Sequence, residues 1–362
     1  MSTDINRVQY RISTEVDDPE WDAFLMGTPL GQFQQSSLWA QVKAGEGWNP
    51  HRVSVWRDGE IRGGWQLLWR RSPFGRLGYI SKGPVITSHD PCLTRSTLQM
   101  LCEAIADLRL AVITLQPPDE DVSITPELAR LGFFPDPTNR VIRSTLVIDV
   151  GRGLRAVEEG IHRTTWASIQ QGHKRGLVVR EGEEKDLPVF FQLMLETCRR
   201  QGEGEPNPSS VESLHRIWDV FRKRNLCYFF VAQESQEIVA GLLCLGFGRH
   251  FILWKKGWSG SHGDKRPNEV LTYAGLAAAC QAGYAVADFA SLQLDIARTL
   301  LDGGTLSAEQ RSTRHFFNLK FGGQPKILPG AHLFFRSRIL RAAYRVANVP
   351  AAAAYLDRSR VK

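Results

Sequence analysis

The side chains best placed for chemistry lie in "RHFFNLKFGGQP", Arg314 to Pro325. Phe317, Leu319 and Phe321 alternate with Asn318 and Lys320, and a period of two predicts a short strand. Its apolar face should be buried. The other face presents an amide and an ammonium beside Gly322 and Gly323, where backbone can approach a ligand. Stronger signatures are absent: no Walker loop, G-x-S-x-G, H-E-x-x-H or G-x-G-x-x-G occurs. His215 and Asp219 are four apart on a segment with its own apolar stripe (Val211, Leu214, Trp218, Phe221), which reads as a surface pair. The nine histidines show no metal-ligand spacing. "RQGEGEP", 200 to 206, has the composition of a pyrophosphate turn, but the wrong spacing, and it ends a helix. No cofactor or metal is expected.

The elements that must position these groups belong to a chain of 362 residues, 43% hydrophobic and 10% aromatic, long enough for two domains. "HRVSVWRDGEIRGGWQLLWRR" predicts two strands joined at Asp58-Gly59. "VWRDGEIRGGWQLLW" (55 to 69) and "VAQESQEIVAGLLCL" (231 to 245) share a pattern, and each is followed by a helix. Duplicated α/β halves follow from this. Pro188 and Gly202 bracket one helix, and Pro267 and Gly283 another. A long helix is expected from about Leu154 to Arg175.

Six scattered cysteines without a C-x-x-C pair read as free thiols in a reducing compartment, the cytoplasm. No stretch is apolar enough to span a membrane, and the polar start does not read as a signal peptide. The net charge is +7, but seven Lys/Arg against one acid from Ala331 to Lys362 leave about +1 elsewhere. That end is either a solubilising tail or attracted to an anionic surface, membrane or nucleic acid.

"GQFQQSSLWAQVK" and "GYISKGPV" resemble the Fem (FemABX) peptidyltransferases. Further segments follow in that family's order: "IQQGHKRGLVV", "LETCRRQGE", "GWSGSHGDKRPNEVLTYAGL", "ADFAS" and "FFNLKFGG". The resemblance implies an α/β fold of two tandem GNAT-like (acyl-CoA N-acyltransferase-like) domains, in a short form without a coiled-coil arm. The domains would be 1–150 plus 317–362, with the basic tail, and 151–316. It implies transfer of an amino acid from aminoacyl-tRNA to the side-chain amine of the peptidoglycan stem peptide, on a UDP-linked or lipid-linked muropeptide, by a monomer.

The same resemblance assigns residues. Lys43, with Trp39 four residues before it, falls where the family's lysine contacts substrate phosphates; Lys82 and Arg200 also bind substrate, with Arg199 adjacent to Arg200. Arg163, His173, Lys174 and Arg175 fall on the basic, tRNA-binding helix. Asn318 replaces the lysine that stabilises developing negative charge, Lys255 stands where the family has a tyrosine, and Gln116 replaces an arginine. In a strand, Lys320 would share a face with Asn318 about 6–7 Å away. Lys255 and Lys320 are therefore expected to replace the missing charge; the sequence assigns no general base, and Asp119 and Asp288 are only candidates for it. Two alternatives stand beside this one: an N-acyltransferase using acyl-CoA or another donor, and a non-catalytic cell-wall or nucleic-acid binding protein. A tail helix with Leu333, Phe334, Leu340 and Tyr344 on one face would touch the inner face of the plasma membrane.

Overall fold

The computed structural model describes residues 8–346 apart from 74, 88–89, 120–122 and 139–140. Strand β1 is Gln9–Ser13, and helix α1 (Pro19–Gly27) starts at Asp18, whose carboxylate accepts from the Trp21 N–H at 3.1 Å. Helix α2 (Ser37–Ala44) is capped the same way by Ser36. Strands β2 (Asn49–Arg57) and β3 (Glu60–Ser72) meet at Asp58-Gly59, both with positive φ, as a two-residue hairpin requires. Then come β4 (Gly75–Ser81), β5 (Val85–Ile86), α3 (Pro91–Asp107), β6 (Leu110–Gln116), α4 (Thr125–Arg130), β7 (Phe134–Pro135) and β8 (Ser144–Asp149).

The expected long helix is two helices, α5 (Leu154–Gly160) and α6 (Arg163–Lys174). Chain direction changes at Ile161-His162, where Ile161 is extended and the His162 ring accepts from the Thr164 N–H, capping α6. Next are β9 (Val178–Glu181), α7 (Leu187–Gln201), α8 (Val211–Arg222), β10 (Cys227–Glu234), β11 (Glu237–Phe247), β12 (His250–Trp258), α9 (Pro267–Gln281) and β13 (Val286–Asp288). Gly202 ends α7 with φ 64°, a left-handed cap that suits glycine. The chain finishes with α10 (Leu294–Leu301), α11 (Ala308–Arg311), α12 (Arg314–Leu319), β14 (Gln324–Ile327), β15 (His332–Phe335) and α13 (Arg338–Val346).

Two compact units result: Met1–Ile142 with Leu328–Lys362, and Arg143–Ile327. The boundaries thus fall earlier and later than residues 150 and 317. Strand β8 pairs with β13 and β14, so both ends of the second unit are stitched into its own sheet.

The duplication is visible strand by strand. The first sheet runs β1-β2-β3-β4-β6-β15-β7, with β5 on β3; the second, read in the same sense, runs β9-β10-β11-β12-β13-β8-β14. The two hairpins even share a bulge, between Val55/Trp56 and between Ala232/Gln233, which skips the residue after the Glu-Ile pair in each. Each sheet buries an apolar core. Trp65, Leu67, Ile113 and Leu101 lie at the centre of the first, and Leu242, Phe251, Leu271 and Phe321 at the centre of the second.

Candidate functional site

The duplicated units differ where a parallel pair of strands meets. In the first unit β4 stays paired with β6 through its last residue, Ser81 opposite Gln116. In the second, pairing of β12 with β13 stops after Ile252 opposite Asp288, although β12 continues to Trp258. Beyond Asp288 the backbone follows β8 instead, with Phe289 N–H donating to Leu146 O at 3.0 Å. The sheet therefore opens between β12 and β13. Six residues of β12, from Leu253 onward, line one lip.

Helix α12 bridges that opening. This corrects the strand expected for residues 317–321: Phe317 and Phe321 are i and i+4, and their rings meet at 5.3 Å. Phe321 packs against Phe289 beyond β13, while Phe317 lies under Lys256 of β12, with Nζ 4.9 Å from the ring centroid. At about 100° per residue, Asn318 and Lys320 point to nearly opposite sides of the helix. Lys320 instead stacks over Phe316, and its carbonyl accepts from the His162 N–H. The shared face proposed for Asn318 and Lys320 does not exist. Asn318 itself is half-buried, beside Phe317.

The second unit does gather several of the expected residues. Arg200, at the end of α7, stacks on Trp258 at 4.9 Å and donates to its carbonyl. Arg314, at the start of α12, donates to Gln201 at 2.7 Å and pairs with Glu203, tying α12 to the end of α7. Lys255 lies over Trp254 at 4.7 Å. Its neighbour Lys256, not singled out from the sequence, faces the other way, toward α9 and α12. There Nζ donates to Thr272 Oγ1 at 2.7 Å, and the Thr272 hydroxyl in turn donates to Asn268 O. Burial pushes the Lys256 ammonium down to about 8, against the opposing pull of Cys244 and Glu269. The one signal for it was a lysine inside the otherwise apolar run "FILWKKGW".

The remaining expected residues fall elsewhere. In the first unit Trp39 and Lys43 meet as their spacing predicts, Nζ 5.2 Å from the ring centroid, and Lys43 also pairs with Glu46 at 2.6 Å. Lys82 is buried and ion-paired with Asp119, which also accepts from Gln32, so its charge is balanced internally. Gln35 of the same segment donates to Ser81 O and Gln66 O and accepts from Gln66 N–H; this is a buried amide lattice rather than a substrate contact. Gln116 spans Ile142 O and Pro329 O. In the second unit Asp288 accepts from Thr145 and the Ala290 N–H, a structural cap. Arg163, His173, Lys174 and Arg175 are exposed at the two ends of α6, and Arg175 is held by Asp264.

Residues 332–335 are strand β15 between β6 and β7, so the apolar stripe expected to begin at Leu333 is broken. Tyr344 donates to Asp136 at 2.9 Å, and Arg341 covers Phe134. The Arg345 side chain and residues 347–362, with Arg358, Arg360 and Lys362, lie outside the described residues. Among the described residues no cluster of His, Cys, Asp and Glu could hold a metal, and no helix is long and apolar enough to cross a membrane.

Comparison with known proteins identifies the class. Residues 162–292 match the acetyltransferase (GNAT) domain and residues 15–123 the FemAB family. The crystal structure of FemX superposes with a TM-score of 0.76 at 18% identity, covering 92% of this chain and 99% of that one. A tandem GNAT protein from the clavulanic acid biosynthesis pathway does so at 0.54 and 10% identity, covering 91% and 99%. The fold is thus a tandem pair of GNAT-like domains.

On that fold, residues 15–123 are the part of the chain that is similar to the FemAB family. The lipid II:glycine glycyltransferases of Staphylococcus aureus (strain MRSA252) and Staphylococcus haemolyticus (strain JCSC1435) are each 27% identical to this chain over 199 residues, 52% of it. The chain spans about half the length of these relatives, 47% and 48%. No helix among the described residues exceeds the 17 residues of α3.

Proposed function

We propose that this chain is an aminoacyltransferase that moves an amino acid from aminoacyl-tRNA to the side-chain amine of the stem peptide in a peptidoglycan precursor. Its relatives named for lipid II favour the lipid-linked form of that precursor over the UDP-linked one. The observation that carries this reading is a Fem-type chain whose second unit opens between β12 and β13, with cationic side chains on the lip.

In the reaction the deprotonated amine attacks the ester carbonyl of the donor. The nitrogen lone pair forms the new N–C bond, and the carbonyl π pair moves onto oxygen. Collapse of that oxyanion expels the ribose oxygen, which takes up the proton the amine gives up. Catalysis then consists of holding donor and acceptor together and stabilising the oxyanion. Asn318 offers an uncharged donor beside the opening, and Arg200 and Lys255 bind anionic groups of the donor end. Lys43, sheltered by Trp39, suits a pyrophosphate as a point charge. The exposed cations of α6 would contact tRNA electrostatically and in a salt-sensitive way.

A second reading is an N-acyltransferase using acyl-CoA, favoured by the acetyltransferase match over 162–292. Purified protein offered a muropeptide precursor with either labelled charged tRNAs or labelled acetyl-CoA separates the two. Transfer from the tRNA pool is expected. Transfer from CoA alone would overturn the first reading, and transfer from neither would favour a binding role. Action on a lipid-linked acceptor also places the protein at the cytoplasmic membrane face, with the basic end as anchor. Co-sedimentation with anionic vesicles, full chain against one ending at Val346, tests this. A cut at Gly330 would remove β15 from the first sheet. Equal binding by both chains would exclude the anchor.

A further inference from the structure

Lys256 is chemically expensive where it stands. Its half-buried ammonium sits in the opening between β12 and β13, over an aromatic face and against one hydroxyl oxygen. Among the described residues no carboxylate lies within ion-pair distance of it, unlike Lys82, Arg52 or Arg180, which are each matched by an aspartate. A buried charge without a counter-ion is normally either neutralised or removed. The groups acting on it are Glu269 on α9, too distant to pair, and the Cys244 thiol on β11, whose own proton burial holds in place. Thr272 already donates to Asn268 O, so it offers Lys256 only an acceptor. Among the described residues the ammonium meets one hydroxyl acceptor and one aromatic face, and no carboxylate.

Position sharpens the point. Phe317 touches Lys256 and directly precedes Asn318, so a cation reaches the flank of α12 from β12 rather than from the helix itself. The neighbouring cations each carry protein contacts of their own: Arg200 with Trp258 and Thr197, Arg314 with Gln201 and Glu203, Lys320 with Phe316.

We propose that Lys256 is a further catalytic residue of the second unit, whose ammonium receives the oxyanion formed on the attacked acyl carbonyl in the opening between β12 and β13. This rests on the acyl-transfer reading above. The protonated form is the working one. Its missing counter-ion is the substrate oxygen itself, and desolvation makes that interaction strong.

A titration tests the assignment separately from the reaction. Reductive ¹³C-methylation with NMR detection reports the titration of Lys256, assigned by the signal lost in Lys256→Arg. Acetate and inorganic phosphate serve as anion probes, distinguishing a carboxylate-sized from a phosphate-sized site. A midpoint well below that of the other lysines, moved upward by at least one probe, is expected. An ordinary lysine midpoint with no response to either anion would overturn the proposal. These results hold whichever donor is used, and even if no transfer is seen.

Kinetics supply the second test. Lys256→Met should lower kcat by about 10²–10³-fold, the scale of losing one oxyanion donor, with KM for the acceptor within a few-fold. Lys256→Arg should keep part of the rate, and its alkaline limb should move up because guanidinium does not titrate there. A Lys256→Met variant that is folded by near-UV circular dichroism and retains full kcat would refute the role. A wild-type rate that rises as Lys256 loses its proton, with the rise absent in Lys256→Met, would do the same by making it a base.

Discussion

A lysine held in its charged form against burial should cost the fold stability, and Lys256→Met makes that cost measurable. The side chain keeps its length, and the thioether can stay against the Phe317 ring. Thr272 keeps its bond to Asn268 O, so no buried donor is orphaned. The folded ammonium titrates at about 8, against 10.5 for an ordinary lysine. At about 1.4 kcal/mol per pH unit, the folded charged form is penalised by up to about 3 kcal/mol, and partial solvent access reduces this to about 2. Below pH 8 both folded and unfolded chains carry the proton, and wild type bears the full penalty. Between about pH 8 and 10.5 the unfolded chain binds more protons, so wild-type stability rises with pH relative to the variant.

Lys256→Met is therefore expected to be the more stable protein at pH 7, by about 2 kcal/mol or about 4–8 °C for a unit of this size. The gap should narrow as pH approaches 10. Urea unfolding at several pH values reads this, with the second unit's transition assigned by hydrogen exchange in β11 and β12. A variant less stable at pH 7, or a gap that does not change with pH, would refute the reasoning. A residue whose removal stabilises the fold and lowers kcat has the profile of a site residue.

Other perturbations have different signatures. Gly257→Ala would place a methyl 2.8 Å from Met194 N, so it should push α7 off β12, cost about 1–3 kcal/mol in unfolding and lower kcat/KM by displacing Arg200. Arg180→Ala leaves the buried Asp186 without its guanidinium; a loss of about 1–3 kcal/mol is expected at pH 7. Because Arg180 holds the Asp186 carboxyl below its usual range, the wild-type advantage should persist above about pH 4 and vanish in acid titration as Asp186 protonates. Asn318→Lys should fold, since position 318 is half-buried at the end of α12, and its rate in the transfer assay should hold or rise; complete loss in a folded variant would point to a different chemistry for the asparagine. Lys43→Ala should raise KM for the muropeptide about 10-fold with kcat unchanged. Lys320→Ala, stacked on Phe316 away from Asn318, should leave steady-state turnover within a few-fold of wild type.

The amino-acid sequence alone determined a good deal of this protein. The Asp58-Gly59 hairpin, the proline and glycine ends of α7 and α9, and the repeat of residues 55–69 in 231–245 are local or pattern properties, legible without packing. The Trp39–Lys43 pair was equally local. Residues 317–321 are ambiguous in sequence, because a five-residue alternation of Phe, Leu and Phe also places Phe317 and Phe321 one helical turn apart. Only tertiary packing decides between those periods, here through Phe289 and Lys256, which take the two rings from different strands. Likewise, the break between α5 and α6 depends on the His162 cap and its contact with Lys320 O, a partner 158 residues away in sequence. The site was the least legible part. Whether two parallel strands stay together or part is set by what each pairs with next, and β13's continuation leaves β12 for β8. Lys255 and Lys256 look alike in sequence. The direction of alternation at a bulge between Leu243 and Cys244 turns one toward Trp254 and the other into the opening, where no carboxylate among the described residues pairs with its charge.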